Sequence, residues 1–338
     1  MKDVDAIRTQ QLGKTFPGGV EAVRDVTLSV RPGEIYGFLG PNGAGKTTMI
    51  SMMTTLLRPT HGSAEVEGID VVQHPEQVRR RIGLVFQRST ADDTLTGREN
   101  LEIAAGLYGM TPSESRPRIR ELLERLDLAN AAGRKVSTYS GGMKRRLEIA
   151  AGIVHGPSIL FLDEPTLGLD PQGRADFWDY IRELRAKHGL TIFLTTHYLD
   201  EADQLSDRVS IIDHGRVLRT GTPSALKEGL GSDVVLVRPS TPSSDLPSIL
   251  GRIPGVSEVE PKPIDGAFRV HVPRSEAIVP AVVRACDSAG IEIAAVSTRK
   301  PSLDEVFLSV TGREYREESE PNHVGGHGAA GHARAGGR

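Results

Sequence analysis

The stretch Ile35-Tyr36-Gly37-Phe38-Leu39-Gly40-Pro41-Asn42-Gly43-Ala44-Gly45-Lys46-Thr47 runs from an apolar segment through a glycine-rich turn into a new helix. Its first five residues read as a buried strand. Gly40, Gly43 and Gly45 let the backbone bend so that successive N–H groups converge on one point. The helix that follows is expected to carry Ile50, Met53, Leu56 and Leu57 on one face. Its N-terminus, bearing roughly half a positive charge, then points at whatever anion the loop holds. The spacing G-x-x-x-x-G-K-[ST] is that of a phosphate-binding loop, with Lys46 reaching the β/γ-phosphates and the Thr47 hydroxyl facing Mg²⁺. The nucleotide-binding set expected here is Gly40, Pro41, Asn42, Gly43, Ala44, Gly45, Lys46, Thr47 and Thr48.

A second decisive stretch is Ser158-Ile159-Leu160-Phe161-Leu162-Asp163-Glu164-Pro165. Four consecutive apolar residues suit a strand buried on both faces of a parallel sheet. Asp163, at the carboxyl end, sits where open α/β sheets bind ligands, and is the expected Mg²⁺ ligand beside Thr47. Glu164 follows it and is the expected general base for an attacking water. Together the two stretches describe hydrolysis of a nucleoside triphosphate.

Between them lies Ser140-Gly141-Gly142, opening a helix whose apolar stripe is Met143, Leu147, Ala150, Ala151 and Val154. Ser140 is a good N-cap, and the two glycines leave the first-turn N–H groups uncovered. That makes a second anion site in one chain. Lys144, Arg145, Arg146 and Glu148 fall off the stripe and are expected to face solvent or a partner. Because a helical insertion precedes this site, it is expected to close the phosphate loop of a second copy rather than its own.

These motifs, in this order, resemble the nucleotide-binding subunit of an ABC transporter over about residues 5–225. The resemblance implies further roles. Gln87 matches the Q-loop glutamine that senses Mg²⁺ and contacts the membrane partner. Asp170, in Gly168-Leu169-Asp170, matches the D-loop. His197 matches the switch histidine at the γ-phosphate, and Phe16 falls where an aromatic ring stacks on adenine. Tyr139 and Met143 depart from the usual Leu and Gln around the signature Ser140-Gly141-Gly142. Implied cofactors are ATP and Mg²⁺. Implied partners are a second copy of the chain and a separate transmembrane permease.

The resemblance implies an α/β fold of the P-loop NTPase type: an antiparallel β subdomain, a parallel-sheet core and a helical insertion at about 95–155, all within 5–228. Beyond it, residues 232–313 alternate as βαββαβ plus a last helix, the order of a small α+β ferredoxin-like domain. The closing segment Pro301-Ser302-Leu303-Asp304-Glu305-Val306-Phe307-Leu308 resembles that of ATP-binding subunits of the daunorubicin-export type. Residues 314–338 are rich in Gly, Ala and His and read as a disordered tail.

Composition narrows the function classes. A net charge of -3 over 338 residues leaves no basic footprint for nucleic acid. The single cysteine, Cys286, rules out an internal disulfide framework. No apolar run approaches the ~20 residues of a membrane helix, so the expected location is peripheral, on the cytoplasmic face of the cell membrane. Drug efflux is the expected use, with lipid or glycan export, or a soluble non-transport ABC ATPase, as alternatives. A P-loop kinase would leave the signature unexplained.

Overall fold

A computed structural model describes residues 4–229, 233–260, 262–263, 266–273, 275–299 and 301–312. The expected tail at 314–338 lies outside the described residues. In chain order the first half contains β1 (Ile7–Phe16), β2 (Val20–Val30), β3 (Ile35–Leu39), α1 (Lys46–Met53), β4 (His61–Val66), β5 (Ile69–Asp70), α2 (Pro75–Arg81) and β6 (Ile82–Val85). Three longer helices follow, α3 (Gly97–Leu107), α4 (Pro112–Arg125) and α5 (Gly141–Ile153). Strand and helix then alternate through β7 (Ile159–Asp163), α6 (Pro171–His188), β8 (Thr191–Thr196), α7 (Leu199–Leu205), β9 (Arg208–Asp213), β10 (Arg216–Gly221) and α8 (Pro223–Glu228). The remainder comprises β11 (Asp233–Pro239), α9 (Leu246–Leu250), β12 (Glu258–Val259), β13 (Phe268–Val272), α10 (Ser275–Ser288), β14 (Ile293–Arg299) and α11 (Leu303–Thr311).

Two sheets build the first part. An antiparallel sheet has the order β2-β1-β4-β5, and a second has the order β10-β9-β3-β8-β7-β6. In the second sheet β6, β7, β8, β3 and β9 are parallel, and β10 closes one edge as a hairpin. Its central strands are buried on both faces, which is why they read as unbroken apolar runs. Side chains alternate between two cores along each strand. Phe161 and Phe193 join Phe38, Met49, Met52 and Val26 beneath the antiparallel sheet. Leu160, Leu162, Ile192 and Leu194 join Leu101, Leu122, Leu147 and Ile181 of the helices on the opposite face.

One expected face breaks. α1 stops at Met53, where Thr54 bonds back through Oγ1 to the Ile50 carbonyl at 2.8 Å. Thr55 then turns left-handed (φ 67°), which ends the helical period. Leu56 is thereby thrown outward and is 57% exposed, whereas Leu57 still packs on the core.

The C-terminal sheet has the order β12-β13-β11-β14, with every pairing antiparallel, as in a ferredoxin-like unit. α9 and α10 cover one face, burying Val235, Val237, Val270, Val272, Val282 and Cys286. α11 leaves this unit. Its Leu303, Val306 and Phe307 pack on Leu39, Leu199, Ala202, Val209 and Ile211 of the first part. Ser302 opens it with a capping box completed by Glu305.

Candidate active site

Sheet register brings the motif loops together. β3, β8 and β7 are adjacent and parallel, with Leu39 opposite Thr196 and Asp163 opposite Thr195. The turns that follow these strands therefore leave from one edge. β6 lies beside β7, which carries Gln87 to the same edge. The glycine turn is held by the Gly40 N–H to the Thr196 carbonyl (3.1 Å). A Cβ on Gly40 would strike the Ile212 carbonyl, and one on Gly45 (φ 106°) the Ala22 carbonyl, so the cradle admits only glycine at both points. No side chain caps α1, whose first-turn N–H groups lack intrahelical acceptors.

Glu164 is the focus of the site. Lys46 Nζ lies 2.9 Å from its Oε1, while Gln87 Nε2 (3.2 Å) and His197 Nδ1 (3.1 Å) meet its Oε2. Burial alone would raise the Glu164 carboxyl. The hydrogen bond to His197 and the Lys46 ammonium outweigh it and hold the group below its ordinary range. Lys46, only 4% exposed, also donates to the carbonyls of Gly40 (2.8 Å) and Pro41 (3.0 Å). Glu164 sits at φ 45°, a costly backbone for a non-glycine residue. Its own N–H is fixed by Thr195, through the carbonyl and Oγ1, each at 3.1 Å.

Asp163 accepts from Thr195 Oγ1 at 2.6 Å and from Thr47 Oγ1 at 3.3 Å. Burial raises its carboxyl, and the two hydroxyls oppose the rise. Among the described residues no cluster of three or more His, Cys, Asp or Glu could hold a metal. Thr47, Asp163 and Gln87 offer the sparse oxygen set with which Mg²⁺ binds beside phosphates. The glycine cradle, the uncapped helix and the oxygen donors thus fit a Mg²⁺-bound nucleoside triphosphate.

Other expected residues stand apart from this cluster. Ser140 is exposed and caps α5 by accepting from the Met143 N–H (3.3 Å). Gly142 has open space where a Cβ would be, and Gly141 faces Leu169 of the D-loop. Asp170 caps α6, accepting from the Gly173 N–H at 2.7 Å. Phe16 is 36% exposed at the end of β1, with Lys14 Nζ 5.5 Å from its ring centroid. Among the described residues, no hydrogen bond joins Ser140, Gly141, Gly142, Asp170 or Phe16 to the Glu164 cluster.

The expectation that Arg145 and Glu148 face outward is wrong. Both are 7% exposed, paired at 2.7 Å, because α5 is packed on more than its apolar stripe. Thr195 and Glu201 also escape the motif reading. The Glu201 side chain is buried and receives Trp178 Nε1 at 3.3 Å. Burial pushes its carboxyl up, against the nearby Thr196 and Thr166 hydroxyls. Nothing in the local sequence marks these residues. A charged side chain inside a packed helix shows itself only once its neighbours are in place.

The comparisons with known proteins agree with this geometry. A family model for the ABC transporter matches residues 23–167, and one for the C-terminal domain of DrrA1-3-like ATP-binding proteins matches residues 221–311. The daunorubicin resistance ATP-binding protein DrrA2 of Streptomyces coeruleorubidus is 41% identical, over 91% of this chain and 95% of that protein. The daunorubicin/doxorubicin resistance ATP-binding protein DrrA of Streptomyces peucetius is 44% identical, over 93% of this chain and 94% of the relative. Among solved structures, a dimeric ATP-binding cassette in a post-hydrolysis state, bound to ADP and phosphate, aligns with a TM-score of 0.58 and 28% identity. It covers 64% of this chain and 98% of the cassette. Cassettes of this type dimerise. The chain belongs to the ATP-binding, ATP-hydrolysing subunits of the ABC transporters, in the branch that carries a DrrA-type C-terminal domain.

Proposed function

We propose that two copies of this chain, docked on the cytoplasmic face of a membrane against a separate transmembrane permease, drive export of a hydrophobic drug-like compound. The drug class comes from the names of the relatives, which match over nine-tenths of the chain. Among the described residues no helix is long and apolar enough to cross a membrane, so the span is assigned to another polypeptide.

In this reading residues 40–48 wrap the triphosphate and Phe16 stacks on adenine. Thr47, Asp163 and Gln87 would hold Mg²⁺, which would supply charge neutralisation to the phosphates. Glu164 accepts the proton of the attacking water, Gln87 and His197 orient its carboxylate, and Lys46 turns from Glu164 to the phosphates. Ser140, Gly141 and Gly142 bind the ATP held by the other copy, with Asp170 beside them. Residues 5–228 form the catalytic unit and 232–313 the accessory unit. The observation that supports the reading is the separation of two glycine-opened helix ends in one chain: one lies in the Glu164 cluster, the other is exposed and unjoined to it.

The test is transport by the chain and its permease reconstituted in vesicles. ATP-dependent movement of daunorubicin that disappears with Glu164→Gln supports the proposal. Unchanged hydrolysis at all protein concentrations, with no ATP-dependent pairing, would overturn the shared site. Normal hydrolysis without drug movement would overturn the cargo.

A further inference from the structure

We propose that Arg145 is a positioning residue for hydrolysis, fixing the backbone beneath both Glu164 and Gln87 from the signature helix. Its guanidinium reaches three carbonyls, one at the last residue of β7, one just beyond it and one just after β6. Nε donates to Pro165 O at 2.7 Å, Nη2 to Asp163 O at 3.4 Å and Nη1 to Phe86 O at 2.8 Å. The Asp163 and Pro165 carbonyls flank Glu164, the residue held at φ 45°. The Phe86 carbonyl belongs to the peptide that enters Gln87. Gln87 and Glu164 are themselves joined side chain to side chain at 3.2 Å. One buried side chain therefore pins the main chain at both ends of that hydrogen bond.

The chemistry suits arginine alone. A planar fork with five donors can span separated carbonyls, whereas an ammonium offers three donors from a single point. Glu148, three residues along α5, takes Nη1 at 2.7 Å, so the helix carries its own counter-charge into the interior. A buried guanidinium that served only packing would be costly to keep. Here it adds side-chain restraints on the peptides either side of a strained residue whose own N–H is held by the Thr195 carbonyl. Because Ser140 caps α5, the same rod links the signature end to Glu164. This consequence rests on the shared site proposed above, in which a shift of α5 on contacting the other copy's nucleotide reaches Glu164 through Arg145.

The test compares Arg145→Lys and the charge-neutral pair R145Q/E148Q with the wild-type chain. It follows ATP hydrolysis, nucleotide affinity by equilibrium binding, and thermal unfolding. Misplacing reacting groups by about 1 Å costs about 10² in rate, so kcat should fall about 10²-fold with KM and ATP affinity within about threefold. A folded Arg145→Lys chain with wild-type kcat overturns the proposal, as does a parallel loss of affinity and kcat. If R145Q/E148Q fails to fold, Arg145→Lys alone decides. ATP-dependent pairing of the wild-type chain is recorded in the same series. Its absence removes the shared site, and the kcat-against-KM split still decides whether Arg145 positions the hydrolytic groups.

Discussion

The N-termini of α1 and α5 are the same device built to opposite ends. At α1 the cap is a left-handed glycine without a capping side chain, and Lys46 beside it is almost fully buried. Everything near it converges on Glu164 within the same chain. At α5 the cap is Ser140, exposed, with its hydroxyl already satisfied by Met143 and open space over Gly142. The first end finds its side-chain partners within one polypeptide. The second opens onto a cavity that Gly142 lines with Arg146, Leu169 and Tyr180, away from the Glu164 cluster, and in the reading proposed above a second copy brings its nucleotide to that end. On the shared-site proposal, burial separates the half of a catalytic centre a chain uses itself from the half it lends.

The largest effect should come from Lys46→Ala. It removes the proposed phosphate contact and leaves Glu164 buried without its cation, so hydrolysis should be abolished. Removing one member of such a pair costs about 3–5 kcal/mol, which denaturant unfolding would read. Glu164→Gln should lower hydrolysis by about 10²–10⁴ while ATP affinity survives. Light scattering should then find an ATP-dependent pair, and a chain that stays single would erase the contrast between the two helix ends.

Glycine substitutions sharpen the contrast further. Gly40→Ala drives a Cβ into the Ile212 carbonyl and should weaken nucleotide binding in the isolated chain. Gly142→Ala meets nothing within the chain, so it should leave the monomer as stable or up to about 1 kcal/mol more stable. Its hydrolysis should nevertheless fall where copies pair, and full activity would show that no partner nucleotide approaches Gly142. Ser140→Ala removes the cap at about 1 kcal/mol. Mixed with Lys46→Ala chains, it should leave at most one intact site per pair, read as residual hydrolysis.

The smallest effect concerns pH. Glu201 has a raised carboxyl in the folded chain. The stability it contributes is full below the ordinary glutamate range and is lost as pH rises through the raised folded value. Burial drives the rise, and the neighbouring hydroxyls and His197 oppose it. Glu201→Gln, permanently neutral, should flatten this slope, which cannot exceed about 1.4 kcal/mol per pH unit. An unchanged pH profile of thermal unfolding would remove Glu201 as its source.

Strands and motif loops are legible because their signals are local. Apolar runs ending in Gly40 or Asp163 carry their meaning within a few residues, and the alternation after 232 gives the succession of strands and helices in the last unit. Leu56 leaves its expected face because helical periodicity contains no term for the left-handed Thr55 that ends it. Arg145 and Glu148 depart from expectation for a different reason. Amphipathic patterning sends charge outward, while α5 is wedged between the sheet and the other insertion helices, where the Arg145–Glu148 pair and the carbonyls of Phe86 and Pro165 make charge tolerable. The gathering of Lys46, Gln87 and His197 on one carboxylate depends on strand order, which no single segment encodes.

The return of α11 to the first part of the molecule sets a limit on trimming. A chain ended at Arg299 would keep every strand of both units, yet Leu199, Ala202, Val209 and Ile211 would lose their lid of Leu303, Val306 and Phe307. The shortened protein would then carry a greasy scar next to the helix that follows His197. Stickiness and a loosened histidine loop would reach the bench as one defect, so lost activity after such a cut says nothing about the accessory unit's own job.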